Sequence, residues 1–372
     1  MHRMGFEWKP TSLENSRRRR KGEPMSQMKV TVTHALLAIL GVVAFGCGGG
    51  GGGAKADHYK DMVYGAPPAV ISMEKATSTE HWSGAALSIA PEVHPVANAP
   101  VQEVHFDVTH TEIEVAEGVK YTAWAFGGTV PGPVLHIRQG DRVRFSMTNR
   151  SDETMALSPP MPHSIDFHAA MLNPLDKYQQ ASPGATIRFE WVANYPGVFL
   201  YHCGTPAILL HMASGMIGMV IVEPKDGYPT KVDREYALVQ SELYLTKAPT
   251  GKYVIDIAKA QEKRPTYVTF NGKPSQYVAN PLTAKPGERV RLYVVNAGPN
   301  GTSSFHVVGT LFDRVWLDGN PDNELRGMQT VLLGSSSGAI VEFVIPEAGT
   351  YTFLDHEFAD VEMGAIGQIV AK

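Results

Sequence analysis

Two short motifs recur along the chain at nearly the same separation. Gly140-Asp141-Arg142-Val143-Arg144 returns as Gly287-Glu288-Arg289-Val290-Arg291, and Gly215-Met216-Ile217-Gly218 returns as Gly364-Ala365-Ile366-Gly367. The offsets are 147 and 149 residues, the length of one domain, so the chain carries two copies of one folding unit. Inside each copy apolar residues alternate with polar ones. Val104, Phe106 and Val108 form one such row; Val143, Phe145, Met147 and Ile187, Phe189, Trp191 form two more. In the second copy the rows are Val290, Leu292, Val294 and Val341, Phe343, Ile345. A period of two marks strands with one buried face. The expected fold is all-β, two tandem Greek-key β-sandwiches over residues 101–225 and 226–372. One short stretch, Asp256 to Lys263, is the only fair helix candidate.

Composition narrows the function. The 36 glycines and 26 prolines suit many short strands joined by turns, and a net charge of -4 argues against nucleic acid as a partner. Two cysteines, Cys47 and Cys203, exclude a disulfide framework, a zinc ribbon and an iron–sulfur site. The N-terminus reads as an address. A basic run, Arg17 to Lys21, precedes an apolar stretch of 11 residues, Ala35 to Phe45, too short to span a bilayer and of the length of a signal core. Ala44 and Gly46 before Cys47 make a lipoprotein-type cleavage box, although Ala44 stands where such boxes usually carry Leu. The expectation is a signal over 1–46 (with Met25 as an alternative start), lipid on Cys47, and a Gly/Pro-rich tether and arm over 47–100. Cleavage removes eight basic and three acidic side chains, leaving 25 Lys+Arg against 34 Asp+Glu, a net charge of -9. The mature chain is expected to be exported, periplasmic or anchored at the outer membrane.

The chemistry concentrates around Cys203. Seven residues separate it from His211 and four separate His211 from Met216, a strand followed by a returning loop. A second imidazole, His163, stands at an earlier strand end. One thiolate, two imidazoles and a weak thioether are the ligand set of a blue-copper electron-transfer site. Neighbours on a strand face opposite ways, so if Cys203 points inward, His202 points outward. An outward histidine beside a copper cysteine invites a second metal, with His168 as its companion. Three imidazoles and an open fourth position make a catalytic site, and His306 and His356 are the candidates for the third. His58, His81, His94, His105, His110 and His136 read as ordinary surface or packing residues.

At this point the chain resembles the copper-containing nitrite reductases, two-domain cupredoxin enzymes, over about residues 100–372. The resemblance rests on His163-x-x-Asp166-Phe167-His168, the His202-Cys203 pair, His211-x4-Met216, Phe305-His306-Val307-Val308-Gly309 and Asp355-His356. It implies two cupredoxin-like sandwiches and two coppers per chain. Type 1 copper would sit on His163, Cys203, His211 and Met216. Type 2 copper would sit on His168, His202 and His356, the last lent to a neighbouring subunit of a homotrimer. Asp166 and His306 match the family's catalytic pair, and Val308 matches its aliphatic pocket residue. The implied reaction is dissimilatory reduction of nitrite to nitric oxide and water, fed by a small redox donor, a cytochrome c or a cupredoxin.

Two rivals compete. A two-domain multicopper oxidase of laccase type needs about eight histidines, mostly in His-x-His pairs, for its additional copper cluster. No such pair occurs, and Gly204 follows Cys203. A lipid-anchored copper electron carrier explains Cys203 and Met216 but leaves His168, His202, His306 and His356 without a task. Three features depart from the family pattern: the imperfect cleavage box, the 54–100 arm, and a loop between Cys203 and His211 one residue shorter than in some members.

Overall fold

The computed structural model describes residues 62–73, 91–93, 96 and 99–372, all within one compact unit, Asp57–Lys372. The expected signal, Cys47 and most of the arm lie outside the described residues.

Among the described residues, four sheets make two sandwiches. In the first, a seven-stranded sheet is ordered Val70–Ser72, Thr186–Val192, Arg142–Asn149, Val101–Ala116, Val119–Phe126, Tyr253–Ile255, Leu245–Lys247. It faces a four-stranded sheet ordered Leu135–Arg138, Ile217–Glu223, Gly197–His202, Asp166–Phe167. In the second sandwich a six-stranded sheet centred on Arg234–Leu243, Arg289–Asn296 and Gly338–Val344 faces a five-stranded one centred on Ile366–Ala371, Gly349–Asp355 and Ser303–Val307. The alternating rows become the cores. Phe106, Val108, Val143, Phe145, Met147, Ile187, Phe189 and Trp191 join Phe167, Tyr201, Val220 and Val222 in one buried cluster. Val290, Leu292, Val294, Val341, Phe343 and Ile345 join Phe305, Phe353 and Ile369 in another. A third cluster packs the outer face of the four-stranded sheet (Val198, Leu200, Ile217, Met219) on Val239, Tyr293, Val295 and Ile340 of the six-stranded sheet.

The repeat has a physical cause at each position. In Arg-Val-Arg the central valine is buried and the flanking arginines share the other face. Arg142 and Arg144 both reach Glu190 on the adjacent strand, at 3.1 and 2.9 Å. Arg289 and Arg291 likewise reach Glu342, at 3.6 and 2.7 Å. The glycine motif repeats for steric reasons. Gly215 and Gly364 sit at φ +116 and +114, a backbone that disfavours a side chain. A Cβ on Gly218 would meet the Tyr201 ring at 2.2 Å, and one on Gly367 would meet the Phe353 ring at 2.1 Å.

The helix content departs from the sequence expectation. Ile257–Gln261 forms where it was expected, with Asp256 accepting from the Lys259 N–H at 3.0 Å. Among the described residues, four other helices of four to six residues also form. One, Ile208–Ala213, carries His211 within what reads from sequence as a plain loop. It lacks a side-chain cap, and its N-terminal residue Ala207 is left-handed at φ 67, so none of the usual start signals marks it.

Candidate metal centres

Strand alternation divides two adjacent side chains. In Gly197–His202 the residue Tyr201 faces the first core, with Cys203 beyond it, while Val198 and Leu200 face the third. His202 continues the Val198–Leu200 row, so Cys203 and His202 serve opposite sides of one sheet.

On the inner side, Cys203 Sγ lies 3.3 Å from His211 Nδ1, and His211 Nδ1 lies 3.2 Å from His163 Nδ1. The three donor atoms lie within 4.8 Å of one another, and all three residues are buried. Met216 is fully buried in the same core as Cys203. Its carbonyl accepts from the Cys203 N–H at 3.1 Å, and its N–H donates to the His211 carbonyl at 3.2 Å, which ties the returning loop to the thiol. Cys203 Sγ also accepts the Ser164 N–H at 3.4 Å. Burial, and then the neighbouring histidines, pushes His163 down to about 2 and His211 down to about 4. Both rings are therefore neutral, the form that ligates metal. Soft sulfur and two neutral imidazoles in a dry pocket fit copper.

On the outer side, His202 Nδ1–H donates to the Cys203 carbonyl at 3.0 Å, which turns Nε2 toward His168 Nε2, 3.1 Å away. Asp166 Oδ2 lies 3.9 Å from His202 Nε2. His168 is exposed, and Asp166 partly so, which leaves this group open to solvent where the Cys203 group is closed. Partial desolvation of the ring against its neighbours, and then His202, holds His168 below its usual value. Two imidazoles and a nearby carboxylate fit a copper with open positions.

The remaining expected residues lie on the second sandwich. His306 is on Ser303–Val307, and its Nδ1–H donates to the Gln329 carbonyl at 2.5 Å, leaving the Nε2 lone pair free to act. His356 is exposed, its ring centroid 5.6 Å from that of His306 and 4.9 Å from that of Phe358. Val308 is 47% exposed beside them. Within one chain, the group at His168 and His202 gathers Asp166 but neither His306 nor His356.

One residue near the Cys203 group differs from its sequence reading. His110 is not an ordinary strand histidine: it is fully buried, with Nε2 3.2 Å from His163 Nε2. Trp124 lies against it and meets the edges of both His163 and His211, at centroid distances of 5.4 and 4.8 Å. The signal was available. His110 continues the inward row Phe106, Val108, and a histidine there replaces an apolar residue.

Residues 107–227 match a multicopper oxidase family model. A curated copper-containing nitrite reductase of Neisseria gonorrhoeae is 38% identical over 289 residues, covering 75% of this chain and 71% of that protein. One of Pseudomonas chlororaphis is 31% identical, covering 76% and 83%. Among solved structures, the copper nitrite reductase of Nitrosomonas europaea superposes with a TM-score of 0.65 at 37% identity, covering 73% of this chain and 94% of that one.

Proposed function

The chain belongs to the copper-containing nitrite reductase family, and from that premise we propose how this copper-dependent enzyme divides its work. His163, Cys203, His211 and Met216 hold one copper. His168 and His202 hold a second, completed by His356 of a neighbouring copy in a homotrimer. Copper would supply one-electron redox chemistry at the first site and would bind nitrite at the second.

The observation that carries this reading is the division of residues 202 and 203 between two donor groups on opposite sides of one strand. The peptide joining them is a short covalent path from a closed, sulfur-bearing pocket to an open, imidazole-bearing one. Conversion of nitrite to nitric oxide and water takes one electron and two protons. Asp166, 3.9 Å from His202 Nε2, can relay one proton to the outer group. His306, anchored through Nδ1 to Gln329, can take up and pass on the other at its free Nε2. Val308 narrows the approach on the side of the lent histidine. The electron comes from a small redox donor, a cytochrome c or a cupredoxin. A signal over residues 1–46 and lipid on Cys47 would carry the enzyme out of the cytoplasm and anchor it, the reading that the basic run, the apolar stretch and the cleavage box support. The oxidase reading has no support in the site, because its additional histidine pairs do not exist in the sequence.

The test is anaerobic turnover of nitrite by copper-loaded protein with a reduced mediator, following nitric oxide. Two coppers per chain are expected. His356→Ala should abolish nitric oxide while the copper–thiolate absorption persists. If that absorption disappears as well, the ligand partition is wrong.

A further inference from the structure

The Cys203 pocket contains an imidazole that no role above uses. His110 is fully buried, its ring stacked on Trp124 at 22° and set edge-on to His163 at 89°. Its hydrogen bonds determine where its proton lies. Nδ1 faces the Ser158 carbonyl at 3.4 Å, and a carbonyl only accepts, so Nδ1 carries the proton. Nε2 is then a lone pair, and it faces His163 Nε2 at 3.2 Å. His163 turns its other nitrogen, Nδ1, toward His211 and Cys203. The two rings thus form one chain with a single consistent direction: His110 donates to Ser158, His163 donates to His110, and His163 Nδ1 is left bare for metal.

We propose that His110 is a positioning residue of the Cys203 centre, fixing the tautomer and angle of the His163 ligand and increasing its electron donation to copper. The proposal rests on copper binding at Cys203. A metal-ligating histidine normally gives its second N–H to an acceptor, and that acceptor raises the ligand's basicity. Here the acceptor is a side chain, so it can be replaced without touching the backbone. His110 is itself held, its backbone N–H donating to Thr154 Oγ1 at 3.0 Å and its ring packed on Trp124, which donates through Nε1 to Ser158 Oγ at 3.3 Å. The segment carrying Thr154 and Ser158 therefore closes over the ligand through His110.

A better-donating imidazole stabilises Cu(II) over Cu(I). His110→Phe keeps an aromatic ring against Trp124 but removes the acceptor. At a fixed poise it should shift the type 1 Cu(II)/Cu(I) ratio at least threefold toward Cu(I), about 28 mV at 59 mV per tenfold, with the copper–thiolate absorption retained. His110→Gln restores an acceptor at the same reach and should stay within twofold of the unaltered protein. An unchanged ratio in His110→Phe, or a His110→Gln displaced as far as His110→Phe, overturns the proposal. Should His110→Phe fail to fold, nitrogen-15 NMR of the full chain labelled at histidine decides the matter. Slowly exchanging protons are expected on His110 Nδ1 and His163 Nε2, and a proton on His110 Nε2 overturns the assignment. This measurement needs no metal. A protein that shows these protons but never develops a copper–thiolate band refutes copper at Cys203, and with it the donation to copper, while the tautomers assigned to His110 and His163 stand.

Discussion

Acidification of the metal-free protein should weaken it through two rings. His163 and His211 are 0% and 1% exposed, and burial holds them at about 2 and about 4 in the fold, against 6.5 when free. A histidine depressed in this way contributes stability that is fully present above pH 6.5. That stability is lost as pH falls, because the unfolded chain takes up a proton that the fold refuses. From pH 7 to pH 5 each ring costs roughly 2 kcal/mol, so the pair costs about 3–4 kcal/mol, a large part of the stability of an ordinary domain. Urea unfolding of copper-free protein at pH 7, 6 and 5 measures the slope. Other groups titrate in the same window, so the comparison is with a His163→Leu/His211→Leu double variant, which cancels them. The difference in slope should be about 3 kcal/mol across two pH units. A difference below about 1 kcal/mol means that the empty pocket admits water or the rings swing out, and the dry preformed pocket inferred from the geometry does not exist.

Asp360 should act with the opposite sign. Burial, reinforced by Asp355 and Glu357, pushes its carboxyl from 3.8 up to about 7. Its contribution is present below about pH 4 and is lost as pH rises toward 7. Asp360→Asn should therefore gain on the unaltered chain by on the order of 1 kcal/mol between pH 5 and pH 8, discounted for a half-exposed group, and a flat difference in thermal midpoints contradicts this. Asn149 donates to the Met161 and Ala181 carbonyls at 2.7 and 2.9 Å, and its Oδ1 accepts from the Ser151 N–H at 3.1 Å. His163 pairs with that same Ala181 through both backbone groups, at 3.1 and 2.8 Å. Asn149→Ala should lower stability by about 3 kcal/mol and speed copper loss to a chelator. Asn296, which makes the matching bonds to Gly301, Leu333 and Gly298, should cost as much when replaced without affecting copper retention. Equal copper loss from both variants would show the effect to be global.

What was legible in the sequence, and what was not, follows from how locally each feature is encoded. The strand rows could be read because one buried face imposes a period of two, and the repeat because each of its residues has a steric or ionic partner in the same two strands. The Cys203 group could be read because soft and imidazole donors are rare and closely spaced along one returning loop. The placement of His202 followed from alternation alone. The helix around His211 was missed because it has one turn, no polar cap and an apolar composition that suits a strand equally well. His110 was missed for another reason. Its partners, Ser158 and His163, lie 48 and 53 residues away, and nothing local separates it from a packing histidine. Only its place in the inward row, where an apolar residue belongs, set it apart.

The second sandwich shows what the first needs in order to hold metal. Strand register equates Tyr201 and His202, opposite Gly218 and Ile217, with Phe353 and Leu354, opposite Gly367 and Ile366. Asp355 therefore stands where Cys203 does. The surrounding frame is kept: the Ser304 N–H donates to Asp355 Oδ1 at 2.8 Å as the Ser164 N–H donates to Cys203 Sγ at 3.4 Å. Gln240 Nε2 adds a bond to Oδ2 at 2.7 Å, and the Glu357 N–H one to Oδ1 at 3.1 Å. A buried carboxylate with three donors is satisfied by hydrogen bonds alone and has little capacity left for a cation. The cysteine accepts one weak backbone bond and keeps its sulfur available to the two imidazoles. The same cupredoxin-like backbone thus gives a metal pocket or a closed polar plug according to the residue at one strand end. The duplication leaves the second copy free to carry its histidines, His306 and His356, on a side that the plug does not occupy.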